Sequence, residues 1–66
     1  MTPEFIVDAI AKVGGTIQSC TPVCEGSRHF LVLFGAPPSV ERVEGAASFE
    51  RFSSGTCRAD FILSGN

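Results

Sequence analysis

The feature that most constrains this fold is an unbroken apolar run at residues 30–34, Phe-Leu-Val-Leu-Phe. The run ends at Gly35 and is followed by two prolines, so it is too short for a buried helix. Its length, aromatic content and flanking breakers favour a strand over residues 28–34. Because every position of the run is apolar, the pattern predicts a central strand that is buried on both faces.

The N-terminal residues predict an amphipathic helix. Thr2 offers an N-cap hydroxyl, Pro3 suits the first helical position, and Glu4 places an acid in the first turn. Apolar residues then recur at helical spacing, and these are Phe5, Ile6, Ala9, Ile10 and Val13. Two glycines at 14–15 predict the helix end, because glycine readily takes the left-handed conformation found there.

Three further segments predict strands. A polar strand at residues 16–20 is expected at a sheet edge, and strands at 47–52 and 57–63 are expected to pair through a hairpin turn at 53–56. Alternation in the last strand divides its side chains between two faces. One face carries Ala59, Phe61 and Leu63, and the other carries Arg58, Asp60 and Ile62.

The stretch between the central strand and the hairpin is ambiguous. Residues 39–45 are expected to form a short helical turn. A single long helix over 39–54, ending at Gly55, is the alternative. The last residues, 64–66, are expected to fray.

These elements predict one α+β domain over residues 1–66, with two layers: an N-terminal helix packed on an antiparallel sheet of about four strands. One short helix covers only one sheet face. If the helix meets Phe30, Val32 and Phe34, the opposite face carries Leu31, Leu33 and Ile62. Either residues 37–45 fold back over that face, or the face is left as an apolar patch.

Length and composition limit the possible functions. A chain of 66 residues hides only about 60% of its unfolded surface, so a disulfide, a metal, a second copy or a larger partner would add stability. With 44% hydrophobic and 18% charged residues, the chain is globular. The net charge of −2 and the dispersed basic residues disfavour nucleic-acid binding and favour a protein partner.

No targeting or membrane-spanning segment is indicated by the sequence. Pro3 and Glu4 stand where a signal peptide would carry basic residues, and Asp8 and Lys12 interrupt the apolar positions that follow. Asp8 and Lys12 can instead form an ion pair across one helical turn. We therefore expect a cytoplasmic protein with reduced thiols and no membrane partner.

One set of residues has metal-ligand chemistry, namely Cys20, Cys24, His29 and Cys57. Three thiolates and an imidazole could hold zinc, but Cys20 and Cys24 lack the tight paired spacing of a zinc knuckle. We favour buried apolar thiols at Cys20 and Cys57 and a loop thiol at Cys24, and we expect no metal or cofactor. A disulfide is disfavoured by the reducing compartment. A catalytic Cys24 with His29 would need a water-excluding pocket, which so small a sheet has little room for, so enzymatic activity is not expected.

The sequence leaves two alternative functions. The first is the zinc-stapled domain on the cysteines and His29. The second is a small nucleic-acid-binding sheet, in which Phe49 and Phe52 flank Arg51 and stack bases. In a chain without Trp or Tyr, phenylalanines more often form the core.

The favoured function is a non-enzymatic interaction module that binds a larger protein or protein complex and inhibits or regulates it. Its expected contact residues are Leu31, Leu33, Ile62, Glu41, Glu44, Glu50 and Arg51. A second copy of the chain is another candidate partner for the apolar sheet face.

In size, mild acidity and helix-plus-sheet plan, the whole chain resembles the small inhibitors that phages and mobile elements make against host defence complexes, the anti-CRISPR proteins among them. That class shares no residue motif, so the resemblance transfers no site residue. It implies a steric mechanism. The inhibitor would occupy a surface that a nuclease or surveillance complex needs for nucleic acid or for a partner subunit.

Overall fold

The computed structural model describes residues 2–63. In this range the chain forms one helix and four strands: α1 (Glu4–Lys12), β1 (Thr16–Pro22), β2 (His29–Gly35), β3 (Ser48–Arg51) and β4 (Cys57–Ile62). The strands make one antiparallel sheet in the order β1-β2-β4-β3. The predicted α+β arrangement is confirmed. The expectation for residues 64–66 lies outside the described residues.

Helix α1 begins one residue later than the cap pattern indicates. Pro3 is the N-cap, with extended backbone (φ −57°, ψ 143°), and no side chain hydrogen-bonds the helix start. The Pro3 carbonyl accepts the amides of Ile6 and Val7 at 3.1 and 3.2 Å. The prediction that Thr2 caps the helix is therefore wrong, because Pro3 already occupies the cap position. At nine residues, this helix is far too short to cross a membrane, which takes about 20 residues.

The buried face and the C-terminal end of α1 follow the sequence pattern. Ile6 and Ile10 are fully buried, while Phe5 lies at the margin with its ring edge-on to Phe61, centroids 5.9 Å apart. Gly14 has a φ of +74°, and its amide donates to the Ala11 carbonyl at 2.9 Å. The predicted glycine termination is confirmed.

Strand β2 is central, as predicted, but it is not buried on both faces. Val32 and Phe34 are completely buried, and they face α1 with Phe30 partly buried beside them. On the other face Leu31 is only half-buried and Leu33 is 36% exposed. The prediction of two buried faces is wrong because the described chain supplies apolar cover for one face only.

Residues 37–45 form two turns, not the expected helical turn. The Val40 amide donates to the Pro37 carbonyl at 3.0 Å, and the Ala46 amide donates to the Val43 carbonyl at 3.1 Å. Val43, 4% exposed, joins the core, so the segment lies on the same side of the sheet as α1. The alternative of a long helix over 39–54 is also wrong, because β3 occupies the middle of that range.

Arg51 fixes this segment in place. Its Nη2 donates to the carbonyl oxygens of Pro37 and Val40, each at 2.9 Å, and its Nη1 donates to the Ala36 carbonyl at 3.4 Å. The guanidinium carbon also lies 5.9 Å from the Phe49 ring centroid. These contacts satisfy the carbonyls of Ala36 and Val40 and give a second donor to the Pro37 carbonyl, which also accepts the Val40 amide.

An exposed ion pair joins the same segment to the helix. Lys12 Nζ lies 3.3 Å from Glu44 Oε1, so Lys12 reaches across to the segment instead of along the helix to Asp8. Both side chains are mostly exposed, and solvent therefore screens this pair strongly.

The resulting core lies entirely between the sheet and its single covering layer. Its eight buried residues are Ile6, Ile10, Val32, Phe34, Val43, Cys57, Ala59 and Phe61. Phe49 packs edge-on against Phe34 at its margin, with centroids 6.0 Å apart. Among the described residues, every buried side-chain nitrogen and oxygen has a hydrogen-bond partner.

We expect Phe34→Ala to lower the free energy of unfolding by about 3–5 kcal/mol, because it empties the volume of a fully buried ring. In a domain this small such a loss removes most of the stability. Urea unfolding followed by circular dichroism measures it. A midpoint close to that of the unchanged protein would contradict the packing described here.

Arg51→Met keeps most of the side-chain stem and removes all donors to the three carbonyls. We expect a loss of about 1–3 kcal/mol in unfolding free energy and faster hydrogen exchange at the Val40 and Ala46 amides. Arg42→Met is the matched control, since Arg42 is exposed on the same segment; its effect should stay within about 0.5 kcal/mol. Equal effects of both substitutions would argue against the anchoring role of Arg51.

Candidate functional site

The sheet face opposite α1, which we call the open face, carries side chains from all four strands. Residues paired across neighbouring strands share a face, and Leu33 is opposite both Ser19 and Arg58, while Leu31 is opposite both Thr21 and Asp60. The open face consists of Ser19, Thr21, His29, Leu31, Leu33, Ser48, Glu50, Arg58, Asp60 and Ile62.

A bulge in β1 decides which of its side chains face the core and which lie on the open face. Ile17 and Cys20 both pack against the core, yet they are three residues apart and a regular strand would send them to opposite faces. The register shifts between Ile17 and Ser19. The bulge adds one residue to β1 at this point, so that Ile17 and Cys20 both face the core. Ser19 and Thr21 consequently lie on the open face beside the leucines.

The centre of the open face is a shallow apolar depression of about 390 Å³. Its apolar lining consists of Leu31, Leu33 and Phe52. Phe52, 41% exposed, follows the end of β3. Around this centre lie two hydroxyl side chains from β1 and the Arg58 guanidinium. The depression therefore combines an apolar floor with a polar rim.

Asp60 forms the centre of a polar network beside the depression. Its Oδ2 lies 3.3 Å from His29 Nε2, and its Oδ1 accepts from Arg58 Nε at 3.4 Å. The Asp60 side chain is 18% exposed, whereas both partners are about twice as exposed. Both carboxylate oxygens are thus engaged within the face, so Asp60 orients His29 and Arg58 and is not itself offered to a ligand.

Two charged side chains on the open face carry polar atoms that make no hydrogen bond within residues 2–63. Nε is the only Arg58 nitrogen that donates within the described part of the chain, which leaves both terminal nitrogens of its planar fork unengaged. Glu50, exposed on β3, is directly opposite Arg58 in the sheet register, but no group of residues 2–63 bonds its carboxylate. The face therefore presents two unengaged terminal nitrogens on Arg58, whose charge is paired with Asp60, and the Glu50 carboxylate, which has no partner among residues 2–63.

The structure brings only some of the predicted contact residues together. Leu31, Leu33, Ile62 and Glu50 share the open face, and Ile62 is 57% exposed at its end, opposite His29. Arg51 lies on the other face, where the three loop carbonyls engage it. Glu41 and Glu44 are exposed on residues 37–45, which also lie on the side of α1.

The predicted zinc ligands are divided between the two faces of the sheet. Cys20 and Cys57 are opposite Val32 and Phe34 and face the core, whereas His29 is on the open face. Cys24 is exposed in the loop between β1 and β2, and all three cysteines are free thiols. Within residues 2–63 no group of three metal-ligating side chains comes together. The structure therefore does not bring the four residues of the zinc-stapled alternative together.

The nucleic-acid alternative loses its defining residues. Phe49 is half-buried against Phe34 on the core side, and the Arg51 guanidinium is held by loop carbonyls and stacked near Phe49. Neither side chain reaches the open face. Of the predicted base-stacking set, only Phe52 lies beside the leucines.

Sequence reasoning missed the Asp60 network and the position of Phe52. Alternation alone places Arg58 and Asp60 on one face, and that signal was present. The approach of His29 depends on the pairing of β2 with β4, and the position of Phe52 depends on where β3 ends. Both are long-range properties that no local pattern contains.

Comparison with known proteins finds no matching family model, no matching curated protein and no matching solved structure.

Leu33→Lys tests whether the open face is solvent-accessible. We expect the unfolding free energy to change by less than about 1 kcal/mol, since a lysine there can extend into water. Val32→Lys is the contrast, because it places a charge in the core one residue earlier and should abolish folding. A Leu33→Lys protein that fails to give a cooperative urea transition would mean that Leu33 belongs to a core.

Proposed function

We propose that this protein is a small non-enzymatic interaction module that binds a larger protein through the open face and thereby inhibits or regulates it. The observation that carries the proposal is the apolar depression of Leu31, Leu33 and Phe52, whose leucine and phenylalanine side chains are partly exposed. Contiguous apolar surface with a polar rim is typical of protein-binding sites.

The lining of the depression supports binding more than catalysis. It contains two leucines, a phenylalanine, two hydroxyls and an arginine, but no carboxylate, imidazole or thiol. A hydroxyl nucleophile needs an adjacent base, and the His29 imidazole lies against Asp60 outside this lining. The groups present are those that fix an apolar side chain and orient a polar neighbour.

The position of the charged groups supports a defined orientation of the partner. Charged groups at the rim of an interface contribute mainly to the association rate and to the relative orientation of the two proteins. The apolar centre contributes most of the affinity. A partner would thus insert apolar side chains between Leu31, Leu33 and Phe52. Its polar groups would meet the Arg58 fork and Glu50.

The resemblance to anti-CRISPR inhibitors suggests a target class for this proposal. In that case the target is a cytoplasmic nuclease or surveillance complex, and the open face blocks one of its working surfaces by occupying it. This narrower target class rests on the whole-chain resemblance alone, whereas the binding surface rests on the open face.

The test uses the protein as bait in lysate of its native cells, with the retained proteins identified by mass spectrometry. We expect a retained partner that is depleted at least about tenfold when the bait carries Leu33→Lys. Val7→Lys is the matched control, since Val7 is an exposed apolar residue on α1, and it should retain the partner. Loss with Val7→Lys alone, or equal retention by all baits, would contradict a target site on the open face.

A further inference from the structure

The open face meets the main requirement for pairing with an identical face. A two-fold interface places the same patch on both subunits, so the patch must contain the complement of each of its own groups. The open face presents an apolar centre together with two unengaged hydrogen-bond donors, the terminal nitrogens of Arg58, and one unengaged acceptor, the Glu50 carboxylate. A partner of a single charge sign would leave one of these groups unmatched, whereas a second copy supplies both.

The sheet edges of the protein are poor contacts for a second copy. β1 carries a bulge after Ile17 and ends at Pro22, which has no amide hydrogen. β3 at the opposite edge has only four residues. Bulges, proline and short strands are features that prevent edge-to-edge pairing. Edge-to-edge pairing of two copies is therefore disfavoured.

No described segment competes for the open face. Residues 37–45, which could have covered it, are held on the side of α1 by Arg51 and by the insertion of Val43 into the core. Two sheets packed face to face lie about 10 Å apart. That spacing suits interdigitating leucine side chains from both copies.

We infer that in the absence of its target this protein forms a reversible two-fold dimer, in which the open faces of two copies pack against each other. This goes beyond the proposed function, because it concerns the free protein and needs no other molecule. The leucines and Phe52 form the centre of the contact. Arg58 and Glu50 of each copy supply the polar complement of the other.

The size of the face makes the dimer a weak one. Four strands about 4.8 Å apart and about six residues long give a footprint of about 400 Å² per copy, or about 800 Å² for the pair. Stable interfaces begin near 1,200 Å² in total. The dimer therefore dissociates readily, and a larger target that offers more contact area can replace the second copy.

Sedimentation equilibrium of the purified protein tests the dimer, with loading concentrations from about 10 µM to about 1 mM. We expect the weight-average mass to rise with concentration from the 7.0 kDa of one chain towards twice that value. Leu33→Lys should remain at 7.0 kDa throughout, and Val7→Lys should follow the unchanged protein. Circular dichroism confirms that each variant is folded.

Two results would overturn the inference. One is a mass that stays at 7.0 kDa over the whole range for the unchanged protein. The other is a Leu33→Lys protein that associates as strongly as the unchanged one, which would place the contact elsewhere. Because no lysate is involved, failure here is distinct from failure of the proposed target binding.

A mixing experiment tests the charge match. Arg58→Glu and Glu50→Arg should each weaken self-association about tenfold, since like charges then meet across the interface. An equimolar mixture should associate more strongly than either variant alone, because each supplies the charge that the other lacks. This gain cannot come from misfolding. A mixture whose mass equals the average of its two components would refute the reciprocal pairing of Arg58 and Glu50.

Discussion

The arrangement of this domain depends on the hydrogen bonds that Arg51 donates to the carbonyls of Ala36, Pro37 and Val40. One nine-residue helix cannot cover a four-stranded sheet on both sides, so the position of residues 37–45 decides which face becomes the core. Arg51 draws the segment towards α1, where Val43 completes the buried cluster. The same contacts thereby leave Leu31 and Leu33 without cover from any other segment of residues 2–63.

An antiparallel sheet with one solvated face normally alternates apolar and polar side chains along each strand. β1 follows that rule by means of its bulge, which sends Ser19 and Thr21 outward. β2 departs from it with two leucines on the open face. Such exposed side chains contribute little to folding in the isolated chain, and the proposed contact with another molecule rests on them.

Local patterns predicted the elements that local physics determines. The spacing of Ile6 and Ile10 predicted the helix, Gly14 its end, and alternation in β4 the two faces of the sheet. The incorrect predictions concern contacts distant in sequence. The prediction that β2 is buried on both faces failed because no segment of residues 2–63 covers its second face. The helical turn failed because Arg51 stabilises a different backbone. The alternative zinc ligands do not come together, because His29 and Cys57 lie on opposite faces of the sheet.

Self-association and target binding on one surface exclude each other, and this links the two proposals thermodynamically. An open face that is packed against the open face of a second copy cannot bind the target. The apparent affinity for the target therefore falls as the protein concentration exceeds the dimer dissociation constant. The small footprint of the face keeps that constant high, and the reduction is therefore modest at low concentration. Where the protein concentration does exceed that constant, the inferred dimer would cover Leu33 and Phe52.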